Sequence, residues 1–386
     1  MENQQAKPPK KDRFVLVISD CHLSAGRFFE GRMNPHEDFK FDDEMCDLFQ
    51  YFSRGKYGSW SDGSPVELEL VIAGDYFDYL NVPVKGEFED GVTEEIAVYK
   101  TKAIIEAHPK VMHALRQFAS LPGKTITYLI GNHDADLLFA NVREMIVRTW
   151  DPNAAFPSEK VKIVHDKDRL TYADAGFEIR HGNQFEAGNE LDFNQPFVVT
   201  DTGSRLLNLP WGSVYVLKIV NQMKWEREYL DKIRPIKVFV LLGLIMDPFF
   251  TMRFVFLSSF YFIKTRIFSD QKGWLAGFKK AAKIIKNQSS VFFQDLETEA
   301  RQLLDESKEI KTVIFGHTHR PMNKVYPDGK QYINTGTWTK MIDLDWRGIG
   351  QQYRRTFAFV HIKDGQAQCE LKQWVGESGP HQTFGG

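Results

Sequence analysis

The chain contains 386 residues, of which 42% are hydrophobic and 26% charged, a composition typical of a globular protein with one large domain or two. A formal net charge of −2 excludes the overall positive field on which non-specific nucleic-acid binding depends. Three cysteines without CxxC spacing exclude a disulfide framework, and residues 1–13 contain no apolar signal sequence. We therefore expect a cytoplasmic protein, either free or peripheral on the inner membrane face.

Short apolar segments recur along the chain and predict buried strands, at residues 14–18, 69–73, 125–130, 176–179 and 312–315. Helical patterns lie between them, at residues 43–52 and 94–119. Strands that alternate with helices predict a layered α/β core. Near the C-terminus, two further strand patterns flank Asp364-Gly365, which predicts a β-hairpin.

Each of the five predicted strands ends at polar side chains that can bind a metal ion. In chain order these residues are Asp20 and His22, Asp75 and Asp78, Asn132 with His133 and Asp134, His181 with Asn183, and His317 with His319. Residues i and i+2 of an extended backbone point the same way, so Asp20 and His22 are expected to face one point, as are His317 and His319. Oxygen and imidazole ligands suit a divalent transition metal. One such motif is weak evidence, whereas five in order at strand ends predict a metal site.

The ordered motifs DxH, GDxxD, GNHD, HG and GHTH resemble those of the calcineurin-like metallophosphoesterase superfamily, over roughly residues 14–185 and 310–375. The resemblance implies a four-layer α-β-β-α sandwich and two divalent metal ions, with Mn as the first choice and Fe or Zn as alternatives. It also implies a bridging role for Asp75. The implied metal ligands are Asp20, His22, Asp75, Asn132, His181, His317 and His319.

The same resemblance implies further roles beside the metal ions. His133 would act as general acid or transition-state donor, oriented by Asp134. Asp78 is expected to orient other site residues. Arg320 would bind a substrate phosphate or form a surface salt bridge. Asn183 would contact the substrate or form a turn.

A basic, aromatic segment with a helical pattern interrupts this alternation. Residues 222–287 contain 13 Lys and Arg against 5 Asp and Glu, an excess of 13 − 5 = +8. The predicted organisation is therefore a core of residues 13–204 and 301–376, with residues 205–300 inserted between its two parts.

The insertion contains an apolar stretch, residues 238–263, whose charged residues are Asp247 and Arg253. Because Pro248 interrupts a helix, we expect a helical hairpin that lies in a membrane interface or covers the site, with contact through residues 236–266. Internal packing or a homodimer interface is the alternative. The flanking basic residues expected to attract anionic headgroups are Lys232, Arg234, Lys237, Lys264, Arg266, Lys272, Lys279, Lys280, Lys283 and Lys286.

Within the superfamily, the combination resembles the branch that contains UDP-2,3-diacylglucosamine hydrolases. That branch has Arg at the position of His133 and Asp at the position of Asn183. The resemblance therefore implies a substrate of the lipid-phosphate class but not the particular substrate of that branch. We expect hydrolysis of a phosphate ester or pyrophosphate of a lipid or other small molecule. The alternative is a nuclease or phosphodiesterase acting on nucleic acid or nucleotides. A non-catalytic scaffold is disfavoured because every ligand position is filled.

Overall fold

The computed structural model describes residues 11–154, 156–266, 296–344, 350–376 and 381–383. Its helices are α1 (Asp42–Tyr51), α2 (Glu94–Ala107), α3 (Pro109–Ser120), α4 (Ala140–Trp150), α5 (Trp211–Tyr215), α6 (Asn221–Lys224), α7 (Ile236–Met246), α8 (Pro248–Arg266) and α9 (Glu297–Glu306). Its strands are β1 (Arg13–Ile18), β2 (Phe28–Phe29), β3 (Arg32–Met33), β4 (Glu67–Ala73), β5 (Lys124–Leu129), β6 (Val161–Val164), β7 (Arg169–Tyr172), β8 (Phe177–Arg180), β9 (Phe197–Val199), β10 (Arg205–Leu207), β11 (Ile233–Arg234), β12 (Thr312–Phe315), β13 (Met322–Val325), β14 (Gln331–Asn334), β15 (Met341–Asp343), β16 (Gly350–Gln352), β17 (Thr356–Lys363), β18 (Gln366–Trp374) and β19 (His381–Thr383).

Two mixed sheets form the centre of the protein. The larger has the order β19-β18-β17-β1-β4-β5-β6, in which β1, β4, β5 and β6 are parallel and the remaining strands antiparallel. The smaller has the order β13-β14-β12-β8-β7, with β14, β12 and β8 parallel. The carboxyl ends of β1, β4 and β5 in one sheet and of β8 and β12 in the other precede the five predicted motifs.

The sheets pack face to face through an apolar layer. Val15 and Val17 of β1 contribute to this layer together with Ile179 and Ile314 of the smaller sheet. The intervening residues of β1, among them Leu16, point to the opposite face, because side chains alternate along a strand. Both faces of these strands are therefore buried, which explains their continuous apolar sequences.

Helices cover the outer face of each sheet. Leu48 of α1, Leu115 of α3 and Ile146 of α4 pack in one cluster with the outer face of the larger sheet. On the smaller sheet, Leu304 of α9 packs in a cluster with Phe315. The layers are thus helix, sheet, sheet, helix, and the predicted four-layer α-β-β-α fold is confirmed.

The structure differs from two local expectations. The helical pattern of residues 94–119 forms two helices, because Pro109 has no N–H to continue α2 and instead begins α3 after His108. The insertion is also not wholly helical: β10 and β11 are strands, and α9 covers the smaller sheet. The domain boundaries stay a prediction.

The predicted helical hairpin is present as α7 and α8, which are separated at Asp247. Its inner face packs Phe239, Phe250 and Phe254 in a cluster with Met223 and Leu230. Among the helices of the described residues, none combines the length and the apolar character needed to cross a bilayer. Of the predicted flanking basic residues, Lys272, Lys279, Lys280, Lys283 and Lys286 lie outside the described residues, as does the side chain of Arg266.

Candidate metal centre

Main-chain hydrogen bonds hold neighbouring motif loops together at one edge of the sandwich. The N–H of Asp20 donates to the carbonyl of Gly74 at 3.1 Å, and the N–H of His22 donates to the carbonyl of Asp75 at 3.0 Å. Between the two loops of the smaller sheet, the N–H of Gly316 donates to the carbonyl of His181 at 2.9 Å. The side chains that follow these strands therefore face a common space.

The first group of potential ligands contains Asp20, His22 and His319, whose ligand atoms all lie within 4.8 Å of one another. The Nε2 atoms of the two histidines are 3.0 Å apart, and Nε2 of His319 is 3.3 Å from Oδ1 of Asp20. These three predicted ligands thus converge.

The second group contains Asp75, His181 and His317, again with ligand atoms within 4.8 Å of one another. Nε2 of His181 lies 3.1 Å from Oδ2 of Asp75. The backbone N–H of His317 donates to the Asp20 carboxylate at 2.9 Å, which connects the two groups. Asn132, the seventh predicted ligand, has a buried Oδ1 with no hydrogen-bond partner among the described residues.

The hydrogen bonds made by the imidazole rings test whether cations fit this space. Nδ1 of His22 lies 2.9 Å from the Asp78 carboxylate and Nδ1 of His181 lies 2.8 Å from the carbonyl of Ala73, so both Nδ1 atoms must carry the proton. In the neutral rings, each Nε2 then points a lone pair into the site, that of His22 toward His319 and that of His181 toward Asp75. Lone pairs that face other acceptors repel, and a shared cation removes the repulsion. The residues present therefore fit a pair of divalent ions.

Electrostatics around His181 agree with this interpretation. Burial lowers the pKa of His181, but the Asp75 carboxylate outweighs that effect and raises the pKa to about 10. The space between the two side chains therefore favours a positive charge.

Five of the seven predicted ligands have a left-handed backbone. The φ angles are 51° for Asp20, 55° for His22, 51° for Asp75, 69° for His317 and 59° for His319. This conformation costs about 1–2 kcal/mol for a non-glycine residue. The prediction that DxH and HTH converge through extended backbone is therefore wrong: the side chains converge because the chain turns sharply at each ligand. Such concentrated strain is typical of functional sites.

Glycine at position 131 leaves the room that the ligands occupy. A Cβ atom there would overlap the Asp75 carboxylate and approach Nε2 of His181 to 2.9 Å. Gly131 is therefore required by close approach of its backbone to two potential ligands.

Asp78 is the residue that orients His133. Its Oδ1 lies 3.0 Å from Nδ1 of His133, while its Oδ2 accepts from His22. Burial lowers the pKa of His133, but the carboxylates of Asp78 and Asp75 outweigh it and raise the pKa to about 9. These carboxylates favour the protonated form of His133, whose Nε2–H can donate a proton, while Asp78 fulfils its predicted orienting role.

The predicted orienting contact between Asp134 and His133 is wrong. Asp134 is completely buried and accepts from the Tyr128 hydroxyl at 2.6 Å, the Tyr76 N–H at 3.2 Å and the Gly131 N–H. These bonds tie the GNHD loop to the GDxxD loop. Asp134 therefore supports the site through the backbone, and its hydrogen bonds among the described residues go to these groups and not to His133.

Glu186 was not predicted from the sequence. Its Oε2 lies 3.0 Å from Nε2 of His317 and also accepts from Nδ2 of Asn189 at 2.6 Å. A carboxylate behind a metal-binding imidazole sets the orientation of the ring and raises its basicity. The available signal was the position of Glu186 five residues after His181 in a polar turn, which by itself does not indicate a contact with His317.

The two predicted substrate contacts differ in their surroundings. Asn183 donates from Nδ2 to the carbonyl of Asn189 at 2.8 Å, so it forms the turn that carries Glu186. Arg320 is exposed and has no ion-pair partner among the described residues, so the salt-bridge alternative is not realised. Contact of either residue with a substrate stays a prediction.

The insertion contacts the loops of the metal centre directly. Ser213 of α5 donates to the carbonyl of Asn132 at 3.3 Å, and Asn221 of α6 donates to the carbonyl of Leu80 at 2.7 Å. His36 of the core bonds the carbonyl of Asn221 at 2.8 Å. The insertion therefore forms one wall beside the centre.

No protein-family model and no curated protein matches this chain. Solved structures similar to it include a predicted phosphoesterase from Streptococcus pneumoniae (11% identity; 97% of this chain and 98% of that chain covered; TM-score 0.27). Others are the calcineurin-like phosphoesterase YfkN from Bacillus subtilis (12%; 94% and 90%; 0.32) and a dimetal phosphatase from Danio rerio (10%; 92% and 98%; 0.32). The sequence identities and TM-scores are low, so the interpretation of the site depends on the geometry of this chain.

Proposed function

We propose that this protein is a dinuclear metal-dependent hydrolase that cleaves a phosphate ester or pyrophosphate bond. One observation carries the proposal: two adjoining groups of buried or half-buried carboxylates and imidazoles converge, and Asn132 Oδ1 and His181 Nε2 are buried there without a hydrogen-bond partner among the described residues. Nitrogen and oxygen donors of this kind suit Mn²⁺, with Fe or Zn as alternatives.

Asp20, His22 and His319 would hold one ion, Asn132, His181 and His317 the other, and Asp75 both. The ions supply Lewis acidity for the phosphoryl oxygens and lower the pKa of a water molecule. His133, held by Asp78, would donate a proton to the leaving oxygen. Glu186 keeps the ring of His317 aligned.

Activity toward phosphomonoester and phosphodiester forms of p-nitrophenol tests this proposal. We expect Mn²⁺ to stimulate hydrolysis, a chelator to abolish it, and the double substitution Asp75→Ala with His317→Ala to reduce it to background. Full activity of the double variant would contradict the dinuclear centre.

We further propose that the substrate is a lipid or is linked to a lipid, and that the hairpin α7–α8 contacts the membrane. The support is the outer face of the hairpin. This face is apolar and exposed, whereas the apolar inner face packs against the rest of the protein. At its tip, Ile245, Met246 and Phe249 are 75%, 81% and 83% exposed. A large exposed apolar patch marks an interaction surface.

Charges around the hairpin agree with an interfacial position. Asp247 at the tip forms an ion pair with Arg227 at 2.7 Å, so its charge is compensated. Lys237 and Lys264 are exposed and can approach anionic headgroups. Lys232 does not serve this predicted role, because it is buried and pairs with Asp38.

Flotation with vesicles that contain phosphatidylglycerol tests the membrane contact. We expect the protein to float, and Phe249→Asp combined with Phe256→Asp to abolish flotation. Phe28→Asp, an equally exposed aromatic on the core, should leave flotation unchanged. A wild-type protein that stays unbound but changes from dimer to monomer in the double variant would favour the homodimer alternative.

The nuclease alternative has less support. Binding to a nucleic-acid backbone needs basic residues interleaved with polar and aromatic ones, whereas the exposed hairpin face is mainly aliphatic and phenylalanine. Metal-dependent cleavage of single-stranded DNA, without turnover of phospholipids or nucleotide sugars, would favour it.

A further inference from the structure

The first helix of the insertion, α5, contacts two loops of the candidate metal centre. The hydroxyl of Ser213, which is buried, donates to the carbonyl of Asn132 at 3.3 Å. One residue earlier, the N–H of Gly212 donates to the carbonyl of Gly188 at 2.7 Å. The helix therefore lies against both the GNHD loop and the loop that follows His181.

The contact with the second of these loops leads to a potential metal ligand. Asn189, which follows Gly188, donates from Nδ2 to Oε2 of Glu186 at 2.6 Å. The same carboxylate oxygen lies 3.0 Å from Nε2 of His317. Asn189 and His317 thus share one oxygen of Glu186, so a shift of the Asn189 side chain disturbs the carboxylate that orients the ring of His317.

Gly212 leaves the space in which the side chain of Asn189 lies. A Cβ atom at position 212 would overlap Oδ1 of Asn189 and would lie 2.9 Å from the carbonyl oxygen of Gly188. Any larger residue at this position therefore has to displace Asn189 or move α5 away from the loop. Close approach of the helix backbone to Asn189 depends on glycine at position 212.

Contacts with α8 also hold α5 in place. Nε1 of Trp211 donates to the Thr265 hydroxyl at 2.8 Å, and the hydroxyls of Tyr215 and Ser258 are 2.8 Å apart. The rings of Trp211 and Tyr215 stack with their centroids 5.4 Å apart. Since α5 is fixed by the hairpin as well as by the two loops, we expect a side chain added at position 212 to displace Asn189 rather than the helix.

Both contacts of α5 lead to residues that are proposed to hold the same ion, Asn132 and His317. We propose that α5 completes this metal site, with Gly212, Ser213 and Asn189 as positioning residues for the two ligands. This inference rests on the proposed function. It gives the insertion a role in metal binding that is separate from membrane contact and that no sequence motif indicates.

Calorimetric titration of Mn²⁺ into the chelator-treated, full-length protein tests the inference. We expect Asn189→Ala to weaken binding of one Mn²⁺ ion about 10-fold, the lower end of the usual effect of losing an outer partner of a ligating residue, and to leave the other ion unchanged. Gly212→Ala should weaken the same ion by a similar factor, because it displaces Asn189. Ser213→Ala removes one hydrogen bond to the Asn132 loop and should weaken this ion about 5-fold.

Gly243→Ala is the matched control. A Cβ atom at position 243 would overlap the hydroxyl of Thr251, so the substitution creates a similar overlap in the same insertion, between the two helices of the hairpin. It should lower the midpoint of thermal unfolding without changing the affinity for either ion. The double variant Gly212→Ala with Asn189→Ala should bind Mn²⁺ about as well as Asn189→Ala alone, because two substitutions that act through one side chain are not additive.

Thermal unfolding of each variant establishes that it is folded. Unchanged affinity for both ions in folded Gly212→Ala and Asn189→Ala overturns this inference and leaves the dinuclear centre intact. Equal weakening of both ions, or a loss in Gly243→Ala as large as that in Gly212→Ala, shows a general loosening of the insertion and also overturns it. If Gly212→Ala does not fold, Asn189→Ala and Ser213→Ala decide. A wild-type protein that binds no Mn²⁺ overturns the proposed function together with this inference.

Discussion

Imidazole rings at the metal centre use their two nitrogens differently. In His22 and His181, Nδ1 bonds the protein and Nε2 faces the open space, and in His133 Nδ1 bonds Asp78. Since a carboxylate or carbonyl accepts at Nδ1, the tautomer is set by the protein before any ligand binds. Residues behind the rings therefore control the chemistry in front of them.

His133 is expected to protonate the leaving group. We predict that His133→Asn slows hydrolysis of alkyl phosphate esters about 100- to 1,000-fold, within the usual range for a lost general acid, and p-nitrophenyl esters far less. Steady-state rates with both ester types check this. Asp134→Asn serves as the comparison, because Asp134 does not contact His133 and should lower stability without changing leaving-group dependence. Equal slowing of both esters in His133→Asn would contradict the acid role.

Glu186 is expected to act through His317. We predict that Glu186→Gln lowers metal affinity about 10- to 100-fold, the usual effect of losing a carboxylate behind a ligating imidazole. Titration with Mn²⁺, followed by calorimetry, measures this directly. Glu190→Gln, an exposed neighbour in the same loop, is the matched control. Identical affinities for the two variants would show that Glu186 does not position the ligand.

At the scale of elements, sharp turns at strand ends and breaks between helices determine where side chains meet. Pro109 separates α2 from α3, and the side chain of His108, the residue between the two helices, is buried. There its Nδ1 lies 2.9 Å from Asp42 and its Nε2 3.3 Å from Glu37. The junction is therefore a buried ion-paired site that connects α1 with α3.

His108 makes the stability of this junction depend on pH. Burial lowers the pKa of His108, but Asp42 and Glu37 outweigh it and raise the pKa to about 9, above the ordinary value of 6.5. A raised folded-state pKa adds stability that is complete below about pH 6.5 and is lost as pH rises to about 9. This increase in pKa corresponds to at most about 3 kcal/mol of stability.

We therefore predict that the stability difference between wild type and His108→Gln shrinks as pH rises from 6.5 to 9. Urea unfolding at several pH values measures the free energies of unfolding. His113→Gln, on the exposed face of α3, should show no such trend. A constant difference for His108→Gln across this range would contradict the ion-paired assignment.

For the whole molecule, the metal centre joins loops from both sheets. Asp20 and Asp75 follow strands of the larger sheet, and His181 and His317 follow strands of the smaller one. Bound cations would connect the two halves of the sandwich and remove repulsion between buried ligand atoms. Metal binding should therefore stabilise the complete fold.

We predict that Mn²⁺ at a hundredfold excess over its Kd stabilises the protein by about 2.7 kcal/mol per independent site. Thermal unfolding of chelated and Mn²⁺-loaded protein measures the shift in midpoint. Asp75→Ala, which removes the shared ligand, should lose most of the shift. A midpoint insensitive to divalent metals would argue against a resident metal centre.

Much of this protein is determined by local sequence. Seven ligands were predicted from residue type and position after an apolar strand, and six of them lie in two compact groups. Asp247-Pro248 was predicted to break the apolar segment, and the two helices of the hairpin separate there. These features are readable because a buried strand, its end and a proline break depend on neighbouring residues.

Tertiary structure alone decided which residues stand behind the ligands. Glu186 meets the ligand His317 across 131 positions of sequence, and Asp78 meets the ligand His22 across 56. Contacts of this kind depend on how sheets and insertion pack, which no local pattern encodes. Ligand positions were therefore predictable, whereas their supporting partners required the folded chain.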